Sequence, residues 1–579
     1  MKWETKSIRD KTEKELQQEL QKLIEDFTKH KDSLDSISPK QLKNLIKHLE
    51  EISIIQSKLY AYHSLNHTVD LNNSKISSEI KMLRNQFSKQ ASKIRFFSHW
   101  FKDLPKTKAN KYITSQELQK YKYYLKSLRK DKPYTRSQEV ETVISYKDNT
   151  ISGLTKVYDI ITNNYEFKVN NEKVTKSDLI KNYTDKDPKK RKQAYQKILK
   201  KYEEDSNVLS EIYTNIVNDW DVEALEIRGY KSPISVRNHY NDASDESVKA
   251  LLEATKENKD IIQEFLQLKH KINQEKGGKY EHNRYHILAP YQKEVDKNYE
   301  LQDCLDTMLD MYKSFDKRIH DAAKKIIDKK HIHAYPAKGK RGGAFCYSIS
   351  TKHTPYILLN HTKDLNSFFT LVHEFGHGVH GELARKQEET NYSTSLTIAE
   401  TASVFSEQLL KSKLLRESEN TDEKISILVD SLTKYYSTIW RQIYFTIFEE
   451  EAHDMISKGA SKEDLQKKYM SNLKELFGDL SIGDEFHHEW NYIPHLHHTP
   501  FYCYAYAWGN LSTLALYNKF ENDNDDFKDK YVTLLSSGGK DNTENLMKDI
   551  MGFDLKKKEF WQSGFDKIRN ELEELKKLV

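Results

Sequence analysis

In the stretch LVHEFGHGVHGEL, residues 371–383, His373 and His377 stand four apart, Glu374 directly follows the first, and His380 lies just beyond. Residues four apart on a helix share one face, so both imidazoles can reach a single ion while Glu374 turns towards its open side. That pattern belongs to hydrolytic zinc chemistry, in which protein ligands leave one coordination position for water and a carboxylate handles the proton. Gly376 and Gly378 fall inside the same helix, where each costs about 1 kcal/mol relative to alanine. Close packing of a second helix or a bound substrate would compensate.

A catalytic zinc usually takes a third protein ligand, and the downstream acids are Glu382, Glu388, Glu389, Glu400 and Glu407. The first three sit in or beside the polar GELARKQEETNYSTS, where a carboxylate is simply solvated. Glu400 lies in LTIAETASVFSE among Ile398, Ala399, Ala402 and Val404, where an unpaired carboxylate is costly to bury and a metal relieves the cost. Ser403 and Glu407 follow three and seven residues later on the same helix face. They could orient the ligands from behind, although Glu407 reads equally well as a surface acid.

HEFGHGVH followed by AETASVFSE resembles the oligoendopeptidase F branch of the thimet-oligopeptidase family of zinc metallopeptidases. Similar stretches recur in DPKKRKQAY, IRGYKSP, KRGGAFCYS, IPHLHHTPFYCYAYAWGN and the tail beginning SSGGKDNTENL. The resemblance implies a mainly α fold of two helical lobes enclosing a deep substrate channel, one zinc per chain, and hydrolysis of internal bonds in short unstructured peptides. It assigns His373, His377 and Glu400 to zinc and Glu374 to general-base work. In that family a histidine and tyrosines from the HLHHTPFYCYAYAWG region stabilise the oxyanion, and His495 and Tyr504 are the best matches here, with His497, Tyr502 and Tyr506 as further substrate contacts. The strand near 343–349 could offer a backbone edge to an extended peptide, with Gly342 and Gly343 permitting close approach, or could be purely structural. Two alternatives stand beside this zinc metalloendopeptidase: a metallocarboxypeptidase or dipeptidyl carboxypeptidase, which needs a cationic pocket for the substrate C-terminus, and a non-catalytic zinc-containing peptide-binding protein. The intact Glu374 argues against the last.

Positioning these residues falls to helices. With only 18 Gly and 10 Pro among 579 residues, the chain lacks the turns that a sandwich or barrel requires. Its length exceeds one hydrophobic core, so at least two lobes are expected. Apolar stripes recur at helical spacing, as in Leu16, Leu20, Leu23, Ile24 and Phe27, and Ser244 reads as an N-cap. Two stretches depart from the pattern. Residues 148–175 read as an irregular or hairpin-bearing segment, and residues 338–360 as two short strands, a small β-sheet beside the zinc helix. Domain boundaries are expected near 110 and 187, giving an N-terminal helical region 1–110, a small oligopeptidase N-terminal-type domain 111–187 and a catalytic domain 188–579. The 93 basic residues are nearly matched by 88 acidic ones, which reads as solvated helix faces rather than a nucleic-acid surface. Three dispersed cysteines suit a reducing compartment, and no apolar run suits a signal peptide or a membrane span. A cytoplasmic protein with no membrane contact and no obligate protein partner is expected.

Overall fold

A computed structural model describes residues 1–170, 172–291, 297–522 and 526–579. The fold is mainly α: 74% of it is helical, and the described strands form two small sheets. It divides into two compact units, each assembled from three separate stretches of chain. The first comprises Met1–Pro133, Lys297–Lys413 and Lys519–Phe553, and the second Tyr134–Asp296, Leu414–Asn518 and Asp554–Val579. Among the described residues no helix is long and apolar enough to cross a membrane.

In the first unit the N-terminal stripe is realised as expected. Helix α1 (Glu13–Thr28) begins at a capping box on Thr12 and buries Leu16, Leu20, Ile24 and Phe27 against α2 (Pro39–Val69), which contributes Leu42, Leu45 and Ile46 to the same core. The remainder of α2 turns to a different task. Its Ala61 and Leu65 join Trp3, Ile8, Ile349, Tyr356 and Leu358 in a second apolar cluster. The Trp3 ring packs edge-on to His333 and Tyr356 at centroid distances of 5.5 and 5.9 Å. The first residues of the chain thus clamp a sheet that lies more than three hundred positions downstream.

The second unit carries the hairpin β1 (Phe167–Val169) and β2 (Glu172–Val174), antiparallel with Phe167 opposite Val174. It corrects one expectation, because residues 148–163 are not irregular but complete a long helix, α3 (Gln138–Asn163), capped by Ser137. Ile144, Tyr158 and Thr162 are buried along it, and this burial outweighs the modest helix penalty of its β-branched residues. Asn171, within the same stretch, lies outside the described residues. Ser244 caps its helix, accepting from the Ser247 amide.

The sheet beside the HEFGH motif belongs to the first unit and contains both strands expected within 338–360, joined by a third from just upstream. Strand β3 (Ile332–His333) runs parallel to β5 (Tyr356–Leu358), and β4 (Phe345–Tyr347) pairs antiparallel on the other side of β5, with Cys346 opposite Ile357. Helix α4 (Leu365–Ala384) follows, started by a capping box between Asp364 and Ser367, and α5 (Thr401–Glu417) comes next. Two of the three glycines of α4, Gly376 and Gly378, sit in close packing. A Cβ on Gly376 would lie 2.5 Å from the Ala402 carbonyl oxygen and from Ser403 Cα, and one on Gly378 would lie 2.6 Å from Ile326 Cδ1.

Gly376→Ala is therefore expected to lower the thermal midpoint despite the better helix propensity of alanine, with an overpacking cost of about 1–3 kcal/mol. Gly153→Ala, at an exposed position in α3 where an added Cβ meets nothing within 4 Å, is expected to raise it slightly, by about 0.5–1 kcal/mol. Thermal unfolding of the two variants beside the parent checks both signs.

Candidate active site

Helix α4 projects His373 and His377 from one face, and α5 delivers Glu400 at its N-terminal end. One ligand atom from each of the three residues lies within 4.8 Å of the other two. Glu400 Oε2 is 3.5 Å from His373 Nε2 and 3.4 Å from His377 Nε2. The approach is possible because Gly376 lets the two helices touch backbone to backbone.

Supporting contacts hold two of the three candidate ligands, His373 and Glu400. His373 Nδ1 is 2.6 Å from Glu407 Oε1, which assigns the Nδ1 proton to that contact and leaves the Nε2 lone pair for an ion. Burial disfavours a charged His373, but the Glu407 hydrogen bond and the negative charges of Glu407 and Glu400 outweigh it, so its pKa is raised. Burial lowers that of His377. The Ser403 hydroxyl donates to Glu400 Oε2 at 2.7 Å. Two imidazole nitrogens and one carboxylate oxygen, with one imidazole already held by a carboxylate from behind, form a donor set suited to zinc.

Glu374 stands beside the triad and is only 7% exposed. Burial, reinforced by the nearby charge of Glu400 and opposed by His373, pushes its pKa up to about 7. The backbone N–H of Cys346 on β4, the outer strand of the sheet, acts in the opposite direction to burial and favours the carboxylate form. That influence had no signature in the sequence, since any residue at 346 other than proline carries the same N–H. His380 does not join the converging ligands. It is buried, with its pKa pushed down to about 4 by burial first and by His377 second. The other acids considered as ligands are engaged elsewhere: Glu382 with Lys325 and Arg385, Glu388 with Lys120, and Glu389 with Thr351.

A cavity of about 510 Å³ opens at the triad, walled by Phe345, Ser348, Gly381, Tyr392, Ser393 and Thr394 among others. It starts at Ala344 and does not include Gly342 or Gly343. Gly343 instead adopts φ +74° in the turn before β4, where Asn360 Nδ2 donates to its carbonyl at 2.7 Å.

The tyrosine-rich segment lies in the second unit, where the structure regroups the expected residues. His495 Nε2 is 3.3 Å from the Tyr506 hydroxyl, and the Tyr502 ring lies parallel to the His495 ring at 5.9 Å. Tyr504, expected to pair with His495, is not with them. It is fully buried, and its hydroxyl accepts from Asn241 Nδ2 at 2.9 Å. The reason is periodicity: α6 (Tyr504–Asn522) begins here, so residues 502 and 506 flank its first turn on one side while 504 points the opposite way. His497 is also interior, stacked 4.0 Å from Tyr158, with its pKa pushed down to about 3 by burial. The turn between them holds Phe501 at φ +57°, its N–H donated to buried Glu449 at 2.8 Å.

Residues 182–566 match peptidase family M3, and residues 100–167 match the family described as Oligopeptidase F. The chain belongs to peptidase family M3. The family makes it a peptidase of the metallo-oligopeptidase type. An oligoendopeptidase F homolog from Borreliella burgdorferi is 26% identical, with 93% of this chain and 91% of that protein covered. The oligopeptidase PepF of Bacillus subtilis is 24% identical over 97% of this chain and 84% of its own length. Among solved structures, oligoendopeptidase-F from Enterococcus faecium shares the fold with a TM-score of 0.70 at 19% identity, with 97% of each chain covered.

Glu400→Ala is expected to abolish stoichiometric metal binding, whereas Glu388→Ala, whose carboxylate is occupied by Lys120, retains it. Glu407→Ala keeps all three ligands but is expected to weaken zinc affinity by about 10- to 100-fold. Elemental analysis after dialysis, followed by competition against a zinc chelator, distinguishes the three outcomes.

Proposed function

We propose that the chain is a zinc-dependent oligoendopeptidase that hydrolyses internal bonds of short unstructured peptides. The observation that carries the reading is the convergence of His373, His377 and Glu400 with a buried, proton-accepting Glu374 beside them. His373, His377 and Glu400 would hold a zinc ion, which would supply Lewis-acid polarisation of the scissile carbonyl and a more acidic water. Glu374 takes the proton of the attacking water and returns it to the leaving amine, a shuttle favoured by a carboxyl group whose pKa lies near neutrality. Glu407 and Ser403 hold His373 and Glu400 in their ligating orientations.

For the oxyanion we propose His495 and Tyr506, with Tyr502 stacked behind the imidazole. Donors aimed at developing charge accelerate the reaction only if they can meet it. The accessibility of Tyr506, at 38% exposed, supports it over the fully enclosed Tyr504. Internal rather than terminal cleavage is supported by the cavity walls: among the described lining residues there is no lysine or arginine to receive a substrate C-terminal carboxylate.

The reading is tested by incubating the protein with a peptide library of mixed length, with and without chelator, and locating cleavage by mass spectrometry. Release of C-terminal residues or dipeptides alone, or chelator-insensitive turnover, would contradict it. Glu374→Gln is expected to retain stoichiometric zinc and lose nearly all turnover, because an amide cannot accept the proton. Tyr506→Phe is expected to lower kcat on the order of 10²-fold with little change in KM. Tyr504→Phe is expected instead to cost about 1 kcal/mol of stability at near-normal turnover per folded molecule.

A further inference from the structure

The tail motif SSGGKDNT, residues 536–543, is not part of the proposed chemistry, yet it lies against the chain that links the two ligand helices. That connector runs from Arg385, after the histidine helix, to Glu400. Gln387 Nε2 donates to the Ser536 carbonyl at 2.7 Å, and the Gly539 N–H donates to the Asn391 carbonyl at 2.8 Å. Gly538 has φ +50°, and a Cβ there would lie 2.5 Å from the Asn391 carbonyl oxygen; a Cβ on Gly539 would collide with the Ser393 carbonyl. The two glycines therefore seat the tail directly on the connector backbone.

Beyond them, Thr543 closes a triangle of hydroxyls. Its Oγ1 is 2.7 Å from Ser395 Oγ and 2.6 Å from Thr397 Oγ1, and those two are 2.9 Å apart. Thr543 and Thr397 are almost wholly buried, at 2% and 1% exposure. Thr397 belongs to the single helical turn Leu396–Ala399, which ends at Glu400. On the opposite side, the connector is held by Glu50, which accepts from the Thr390 amide and hydroxyl at 3.0 Å, and by the Lys120 carbonyl, which accepts from Asn391 Nδ2 at 2.6 Å.

We infer that Thr543, with Gly538 and Gly539, is a positioning residue for the metal site: it sets the location of the Glu400 carboxylate by fixing the helical turn that precedes it. The argument rests on the zinc reading above and on geometry within one compact unit. Two corners of the hydroxyl triangle are buried, so losing the Thr543 hydroxyl removes two of the triangle's three contacts and leaves buried Thr397 with Ser395 as its one remaining corner. The turn then shifts to find new ones, and Glu400 moves with it. Small displacements of a ligand are felt strongly at a metal site.

The test uses the full chain. Thr543→Val keeps the shape and removes the hydroxyl, and Thr543→Ser restores it. Zinc affinity is measured by competition with a chelating dye at a temperature where circular dichroism shows all variants folded, alongside kcat and KM. Thr543→Val is expected to bind zinc about tenfold more weakly, with a fall in kcat at subsaturating zinc that added zinc reverses and with KM unchanged. Thr543→Ser is expected to recover parental affinity. A purely structural role would lower the thermal midpoint and leave the zinc affinity of the folded protein untouched, and that result overturns the inference. Should Thr543→Val not fold, Ser395→Ala, which removes the half-buried corner of the triangle, carries the same comparison. A parent chain that holds no zinc overturns the zinc reading and the inference together, whereas parental binding with unchanged affinity in the variants overturns the inference alone.

Discussion

The site depends on one contact, the meeting of two helix backbones at Gly376. Ligands on different helices can converge only if the helix axes come within reach of an imidazole and a short carboxylate side chain. Any Cβ at 376 would press on the Ala402 carbonyl and the Ser403 Cα. The helix propensity lost at Gly376 is thus converted into proximity. The same closeness lets Glu407, two turns further along α5, reach the far nitrogen of His373. Ligand and support therefore come from one rigid element, and the His373 ring is held between them.

Around that contact the fold works by buttressing. Strand β5 is covered by Trp3, Ile8 and the end of α2, and the connector between the ligand helices is held by Glu50 and Lys120 on one side and by the 536–543 tail on the other. Segments from the beginning, middle and near the end of the chain meet at one sheet and one loop. These are long-range contacts, each of which closes a long loop of chain at an entropic cost that local helix contacts do not carry.

Legibility in the sequence followed the chemistry. The convergence of His373 and His377 was readable because an ion demands particular side chains at a fixed helical spacing, and that of Glu400 because a carboxylate among apolar neighbours requires a reason. The helical class followed from scarce glycine and proline. The tyrosine segment was readable as a cluster but not residue by residue. The alternation Tyr502, Tyr504, Tyr506 looks like a period of two, yet α6 begins within it, so the outer pair shares a face and the middle ring turns inward to Asn241. Strand β3, two residues long, and the helical continuation through 148–163 escaped for the complementary reason, since both are decided by what they pack against rather than by local pattern. The hydroxyl triangle was invisible because serine and threonine are common and its members lie nearly 150 positions apart.

Position 346 on β4 acts on Glu374 through its main chain, whose N–H favours the carboxylate form, while the side chains of Phe345 and Cys346 wall the cavity. Every residue except proline brings the same N–H. The electrostatic setting of Glu374 is thereby separated from the identity of the side chains along β4. A lineage can exchange those side chains, and with them the shape of the cavity, without removing that influence. In evolutionary terms, shape and acidity are written on the same strand in two different alphabets, one in side chains and one in backbone.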